Sequence, residues 1–171
     1  MKDDDDLLTR SREIFAFGEI DSDFTKNLVK DICHLRSLKK DPITIFLSSP
    51  GGEVGFGLGL YDLIQSLQCH VTVVGVGEVA SAATLILQAA DKRIMTVNSI
   101  MMLHGLTISA ENTIPNLETF LRTSKFSQEC MLNIYAQRSG LTKANLKSRL
   151  QRDWYLSSGE ALELGFIDER I

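Results

Sequence analysis

The stretch from Val71 to Leu87 constrains this chain more than any other. It opens as a buried-looking, β-branched strand, Val71-Thr72-Val73-Val74-Gly75-Val76. It passes Gly77, reaches Ser81, and becomes the apolar run Ala82-Ala83-Thr84-Leu85-Ile86-Leu87. A strand feeding a helix through a turn loosened by glycines is the unit of an α/β layer protein. The same turn sets one hydroxyl at the start of a helix. Backbone N–H groups there lack intrahelical partners and can bind an oxyanion, so Ser81 is a candidate nucleophile.

The rest of the chain reads as further alternation. Residues 13–18 predict a first strand. From 22 to about 39, Phe24, Leu28, Ile32 and Leu35 recur at helical spacing, with Ser22 or Asp23 available as cap. Residues 43–47 predict a strand that ends in the turn signal Ser48-Ser49-Pro50-Gly51-Gly52. A helix through Leu60, Leu63, Ile64 and Leu67 follows, then the 71–76 strand and the Ser81 helix to about residue 90. Short strands are expected at 93–97 and 100–103, the second leading to His104. A long polar helix spans about 116–139, closed by Gly140. Thr142 caps a shorter one, and Ser157-Ser158-Gly159-Glu160 has the spacing of a capping box. Residues 165–168 suggest a last short strand.

A chain of 171 residues fits one domain and buries about two thirds of its unfolded surface. Residues 1–12 are expected as a flexible acidic N-terminus and 13–171 as the domain. A formal charge of −4 argues against nucleic acid as the main partner. No apolar stretch reaches the length of a membrane span, and Met1-Lys2-Asp3-Asp4-Asp5-Asp6 is unlike a signal peptide. Cys33, Cys69 and Cys130 are odd in number and far apart, without a CxxC pair. They read as buried free thiols in a reducing compartment, with no metal site, and the expected location is cytoplasmic.

An activated serine needs an imidazole within hydrogen-bond reach and a carboxylate to orient it. Of the 3 histidines, His34 lies inside the first amphipathic helix, where a surface or packing role suffices. His70 precedes the 71–76 strand, at the end away from Ser81. His104 closes an apolar strand, where α/β proteins place site residues, although a satisfied structural histidine fits the position equally well. Asp153, flanked by the only Trp of the chain and by Tyr155, stands out among the carboxylates, yet a helix-end ion pair would explain it too. A G-x-S-x-G elbow is absent, because Val79 and Ala83 flank Ser81 at two residues' distance, and the order Ser81, His104, Asp153 is not that of α/β-hydrolases. Ala82 and the Pro50-Gly51-Gly52 turn each offer an N–H to an oxyanion.

Several segments match in order those of one family. They are Phe46-Leu47-Ser48-Ser49-Pro50-Gly51-Gly52, Leu60-Tyr61-Asp62, Gly77-Glu78-Val79-Ala80-Ser81-Ala82-Ala83, and Val97-Asn98-Ser99-Ile100-Met101-Met102-Leu103-His104. Arg152-Asp153-Trp154-Tyr155-Leu156-Ser157 and Glu160-Ala161-Leu162-Glu163-Leu164-Gly165-Phe166-Ile167-Asp168 complete the set. From about residue 14 to 171 the chain resembles the proteolytic subunit of the Clp protease (the ClpP family of serine peptidases). The short N-terminus would suit a specialised or viral relative.

The resemblance implies a single-domain, crotonase/ClpP-like spiral of ββα units with a protruding handle helix. It implies a serine endopeptidase that hydrolyses unfolded polypeptides inside a chamber of two stacked heptameric rings. No cofactor is expected, since ATP is used only by a separate AAA+ unfoldase. By position it makes Ser81 the nucleophile, His104 the general base and Asp153 the orienting acid, with Gly52 and Ala82 as oxyanion donors. Substrate is expected to add as a strand between Gly52-Glu53-Val54 and a strand at Leu106-Thr107-Ile108. Arg152 and Glu118 match ring-to-ring contacts. The family's N-terminal pore hairpin has no counterpart in residues 1–12, which puts the usual unfoldase partner in doubt. Gly105-Leu106-Thr107-Ile108 and Ala82-Ala83 also depart from the common pattern. Alternative readings are a non-catalytic ring subunit, an acyl-CoA-processing enzyme of the crotonase fold, and a dinucleotide-binding oxidoreductase built on Gly75-Val76-Gly77-Glu78-Val79-Ala80.

Overall fold

A computed structural model describes residues 8–171; the acidic run at residues 1–6 lies outside the described residues. Strands β1 (Glu13–Phe17), β2 (Ile43–Ser49), β3 (Val71–Ala80), β4 (Lys92–Met95), β5 (Ile100–Leu103), β6 (Trp154–Ser157) and β7 (Glu169–Arg170) alternate with helices. The helices are α1 (Ser22–Leu38), α2 (Val54–Gln65), α3 (Ala83–Ala89), α4 (Ile114–Arg138), α5 (Lys143–Arg149) and α6 (Ser158–Glu163). The main sheet is parallel in the order β1-β2-β3-β4-β7. β5 pairs with the far end of β3, and β6 runs antiparallel to β5.

The sheet bends where β3 changes partner. Thr72 to Gly75 lie beside β4, and Glu78 to Ala80 beside β5. Opposite β2 the register jumps from Leu47↔Gly75 to Ser49↔Val79, so the residues between bulge outward. Glycine is required at both hinge positions. A Cβ on Gly75 would stand 2.8 Å from Val79 Cγ2, and Gly77 has φ +71°. Buried Ser99 pins the bend by accepting from the Gly77 N–H at 2.9 Å and donating to the Gly75 carbonyl at 3.1 Å. The glycines thus kink a continuous strand, where the sequence suggested a turn ahead of Ser81. For the same reason they form no phosphate cradle at a helix start, which removes the basis of the dinucleotide reading.

Every residue of α3 is buried. A helix that is apolar all round has to be central, and α3 packs against α2, β3 and the base of α4. Its two polar side chains are satisfied inside the core. Gln88 donates to Phe166 O at 2.9 Å and accepts from Arg93, and Thr84 bonds Tyr135. Helix α4 is the longest, at 25 residues or about 37 Å. It buries only Met131, Leu132, Ile134 and Tyr135 near its C-terminal end, so its N-terminal half projects from the domain.

Most local expectations hold, with shifted boundaries. Thr142 accepts from Asn145 N–H, and Ser157 and Glu160 form the capping box. Several differ. The cap of α1 is Asp21, whose carboxylate accepts from Phe24 N–H at 2.8 Å, rather than Ser22 or Asp23. Residues 165–167 form a turn at positive-φ Gly165, and the last strand follows at Glu169–Arg170. The strand Trp154–Ser157 was not anticipated. The cysteines are free but only partly buried.

Candidate active site

Ser81 sits between the end of β3 and the start of α3 with φ +52°. A left-handed β-substituted residue costs about 1–3 kcal/mol and persists where the surroundings over-determine it. Here the Ser81 N–H donates to Met102 O at 2.8 Å, and its carbonyl accepts from Thr84 N–H at 3.0 Å. The turn aims the hydroxyl into a cleft of about 440 Å³ lined by Gly52, Glu53, His104, Leu106 and Met131 among others.

His104, the first residue beyond β5, meets Ser81 there. Ser81 Oγ and His104 Nε2 are 2.7 Å apart. Because β5 lies beside the end of β3, with Ala80 opposite Met102, the pairing brings the hydroxyl and the ring together. The other histidines serve elsewhere: His34 Nε2 bonds Thr9 Oγ1 at 3.1 Å, and exposed His70 lies 3.8 Å from Asp91.

Asp153 lies on the same register but stands apart. Antiparallel pairing of Leu103 with Trp154 makes His104 and Asp153 the next opposed positions. Among the described residues, however, no hydrogen bond or ion pair joins the Asp153 carboxylate to the imidazole, and Asp153 is exposed. The ladder ends at Leu103 and Trp154, and beyond it Gly105 N–H donates to Leu150 O at 2.8 Å.

Two backbone donors flank the Ser81 hydroxyl. Gly51 (φ +99°) and Gly52 (φ +148°) press the turn after β2 against the Ser81 turn and against Ile20. Ile20 N–H donates to Gly51 O and Glu53 N–H to Ile20 O, leaving the Gly52 N–H between them without a protein acceptor among the described residues. The Ala82 N–H is equally unclaimed.

The six residues expected to hold substrate come together. Gly52, Glu53, Val54, Leu106 and Thr107 line the cleft. Val54, Leu106, Thr107 and Ile108 line an adjoining groove of about 340 Å³ with Phe120 and Thr123 of α4. The strand expected at Leu106-Thr107-Ile108 is absent, since residues 104–113 have no regular structure. A strand needs a partner, and nothing among the described residues pairs with this segment. Gln128 of α4 anchors it, its Oε1 accepting from Leu106 N–H at 2.6 Å. Arg152 and Glu118 are both exposed, Glu118 on the projecting half of α4.

Sequence reasoning missed Met131, which lines the cleft, and Gln128, which holds Leu106 beside it. Both come to the site through the packing of α4. Among the described residues no group of His, Cys, Asp or Glu is placed to hold a metal ion, and no helix is long and apolar enough to cross a membrane.

The comparison with family models closes the question of kind. The model for Clp protease matches residues 1–171. This chain belongs to the Clp protease family. It is 32% identical over 162 residues to the ATP-dependent Clp protease proteolytic subunit 2 of Pseudomonas aeruginosa, covering 94% of this chain and 81% of that protein. A similar subunit of Treponema pallidum is 30% identical over 164 residues, covering 94% and 82%. Among solved structures, a ClpP1 point mutant from Listeria monocytogenes superposes with a TM-score of 0.89 at 30% identity, covering 97% of this chain and 94% of that one. The fold is that of ClpP, a mixed α/β single domain, and the chain is a serine-type peptidase of the Clp protease.

Proposed function

We propose that this Clp peptidase cleaves unfolded polypeptides as an endopeptidase, with Ser81 as nucleophile and His104 as general base. The observation that carries the reading is the 2.7 Å contact between Ser81 Oγ and His104 Nε2 at a strained turn beside two unclaimed N–H groups. His104 Nε2 accepts the Ser81 proton as Oγ attacks the scissile carbonyl. The Gly52 and Ala82 N–H groups stabilise the oxyanion. Collapse breaks the C–N bond, His104 returns the proton to the leaving amine, and water activated by the same imidazole releases the acyl group. Substrate lies extended between Gly52-Glu53-Val54 and Leu106-Thr107-Ile108. The latter segment has no strand pairing among the described residues, so an incoming backbone can supply it.

Asp153 completes the set by accepting from His104 Nδ1–H. In the single chain it stands apart, and its neighbour Arg152 is exposed, so contact with a second ring through Arg152 and Glu118 brings the acid to the imidazole. Exposed apolar side chains favour assembly. Phe15 (61% exposed) and Phe17 (56%) lie on one edge of the sheet, and Ile114 (73%) and Phe126 (70%) lie on α4. The assembly proposed is two stacked heptameric rings in the cytoplasm. A separate AAA+ unfoldase spends the ATP, and the peptidase needs no cofactor.

Peptide hydrolysis by the wild type and by Ser81→Ala, run beside native mass measurement, tests the reading. Hydrolysis by a closed ring and its loss in an equally assembled Ser81→Ala protein are expected. An inert wild-type ring would favour a non-catalytic subunit instead.

A further inference from the structure

The Ser81 carbonyl is held by a chain of buried hydroxyls that enters from α4. Thr84 Oγ1 donates to Ser81 O at 2.7 Å and lies 2.7 Å from the Tyr135 hydroxyl. Each hydroxyl carries a single proton. Thr84 commits its own to the carbonyl, so in the second contact the phenol donates and Thr84 accepts. The order is Tyr135 to Thr84 to Ser81. Both side chains are fully buried, at 0% exposure. Burial pushes the Tyr135 phenol up to about 12, against a smaller opposing effect of its bond to Thr84, so the donor keeps its proton throughout the neutral range.

An apolar side chain at position 84 would suit the buried helix α3 equally well, and burying two hydroxyls requires that each be bonded. What Thr84 bonds, with Tyr135 behind it, is Ser81, a non-glycine turn residue with positive φ. If Ser81 relaxed to negative φ, its carbonyl would swing off Thr84 and its Oγ away from His104. We propose that Thr84 and Tyr135 are positioning residues that lock the Ser81 turn in its reactive conformation and tie it to the base of α4. This rests on Ser81 being the nucleophile.

The test uses the assembled enzyme and a short fluorogenic peptide, with active sites counted by fluorophosphonate titration. Thr84→Val keeps the shape and removes the hydroxyl. Its kcat should fall about tenfold or more with KM within about twofold of wild type, because the turn positions the attack and does not bind substrate. Thr84→Ser should restore most of kcat. Tyr135→Phe, which removes one oxygen, should lower kcat by about threefold, and the double variant should lose no more than Thr84→Val alone, since the chain is already cut. A Thr84→Val enzyme with lowered Tm but wild-type kcat per titrated site overturns the proposal, as does additive loss in the double variant. Should Thr84→Val fail to fold, Tyr135→Phe decides: unchanged kcat per site rejects the chain. Full activity in Ser81→Ala would instead remove the nucleophile assignment beneath it.

Discussion

Gly51 presses directly on the back of Ser81. A Cβ on Gly51 would stand 2.7 Å from Ser81 Cβ, 2.8 Å from Ala80 O and 3.2 Å from Ala82 N. The turn after β2 and the Ser81 turn are therefore one packed unit, and the first sets how far the second can relax. Gly51→Ala meets both this backbone obstruction and the strain of φ +99°. It should lower stability by about 1–3 kcal/mol and reduce turnover further than the fall in folded fraction explains. Thermal melts with site-titrated kinetics check this. Wild-type turnover per folded site would mean that the turns are not coupled.

The second prediction concerns Asp153 and assembly. It lies opposite His104 without a bond to it, so on the proposed reading catalysis depends on whatever brings the acid inward. Arg152→Ala should give single rings or smaller species with low peptidase activity. Asp153→Asn should assemble normally but turn over slowly, because an amide at this point favours the wrong imidazole tautomer. Sedimentation velocity beside a peptidase assay separates the two. A fully active monomer would sink the coupling, and an unchanged double ring in Arg152→Ala would remove Arg152 from it.

The third concerns acid stability. The Arg93 guanidinium, nearly buried, donates from Nε and Nη2 to Asp168 and from Nη1 to Gln88, Arg138 O and Gly165 O. This knot ties β4, the end of α4 and the C-terminal turn together. Burial, the largest single influence on Asp168, raises its pKa, but the hydrogen bonds and charge of Arg93 together outweigh it and hold the carboxyl below its ordinary value. A carboxyl depressed on folding contributes stability that is complete above its unfolded pKa and is lost as pH falls through the folded one. Wild type should therefore lose this contribution below about pH 4. Asp168→Asn should be less stable at neutral pH and show a shallower acid decline. The Asp168 side chain is 39% exposed, so the neutral-pH cost should fall well short of the about 3–5 kcal/mol of a fully buried pair. Parallel melts from pH 3 to about pH 7 test it; identical acid slopes would contradict it.

Local grammar carried much of the fold. Thr142, Ser157 and Glu160 announced their helices because a cap is made within one turn of chain. The meeting of Ser81 and His104 was legible because their motifs resemble a family's, and the sheet register brings the two side chains within 2.7 Å. The rest depends on contacts distant in sequence. Trp154–Ser157 becomes a strand because β5 offers it an edge, and four residues announce little of that. Gly75 and Gly77 looked like turn residues because a strand that changes partners needs the same freedom as a turn. Thr84 read as part of an apolar helix, and its hydroxyl gains meaning only when Tyr135, 51 residues on, packs against it.

Covalent labelling with a fluorophosphonate, followed by peptide mass mapping, tests the nucleophile assignment most directly. The assembled wild type should carry one adduct per chain on Ser81. His104→Ala should label slower by several powers of ten, and Ser81→Ala should neither label nor hydrolyse peptide. An adduct on another residue, or peptide turnover surviving in Ser81→Ala, would contradict the assignment.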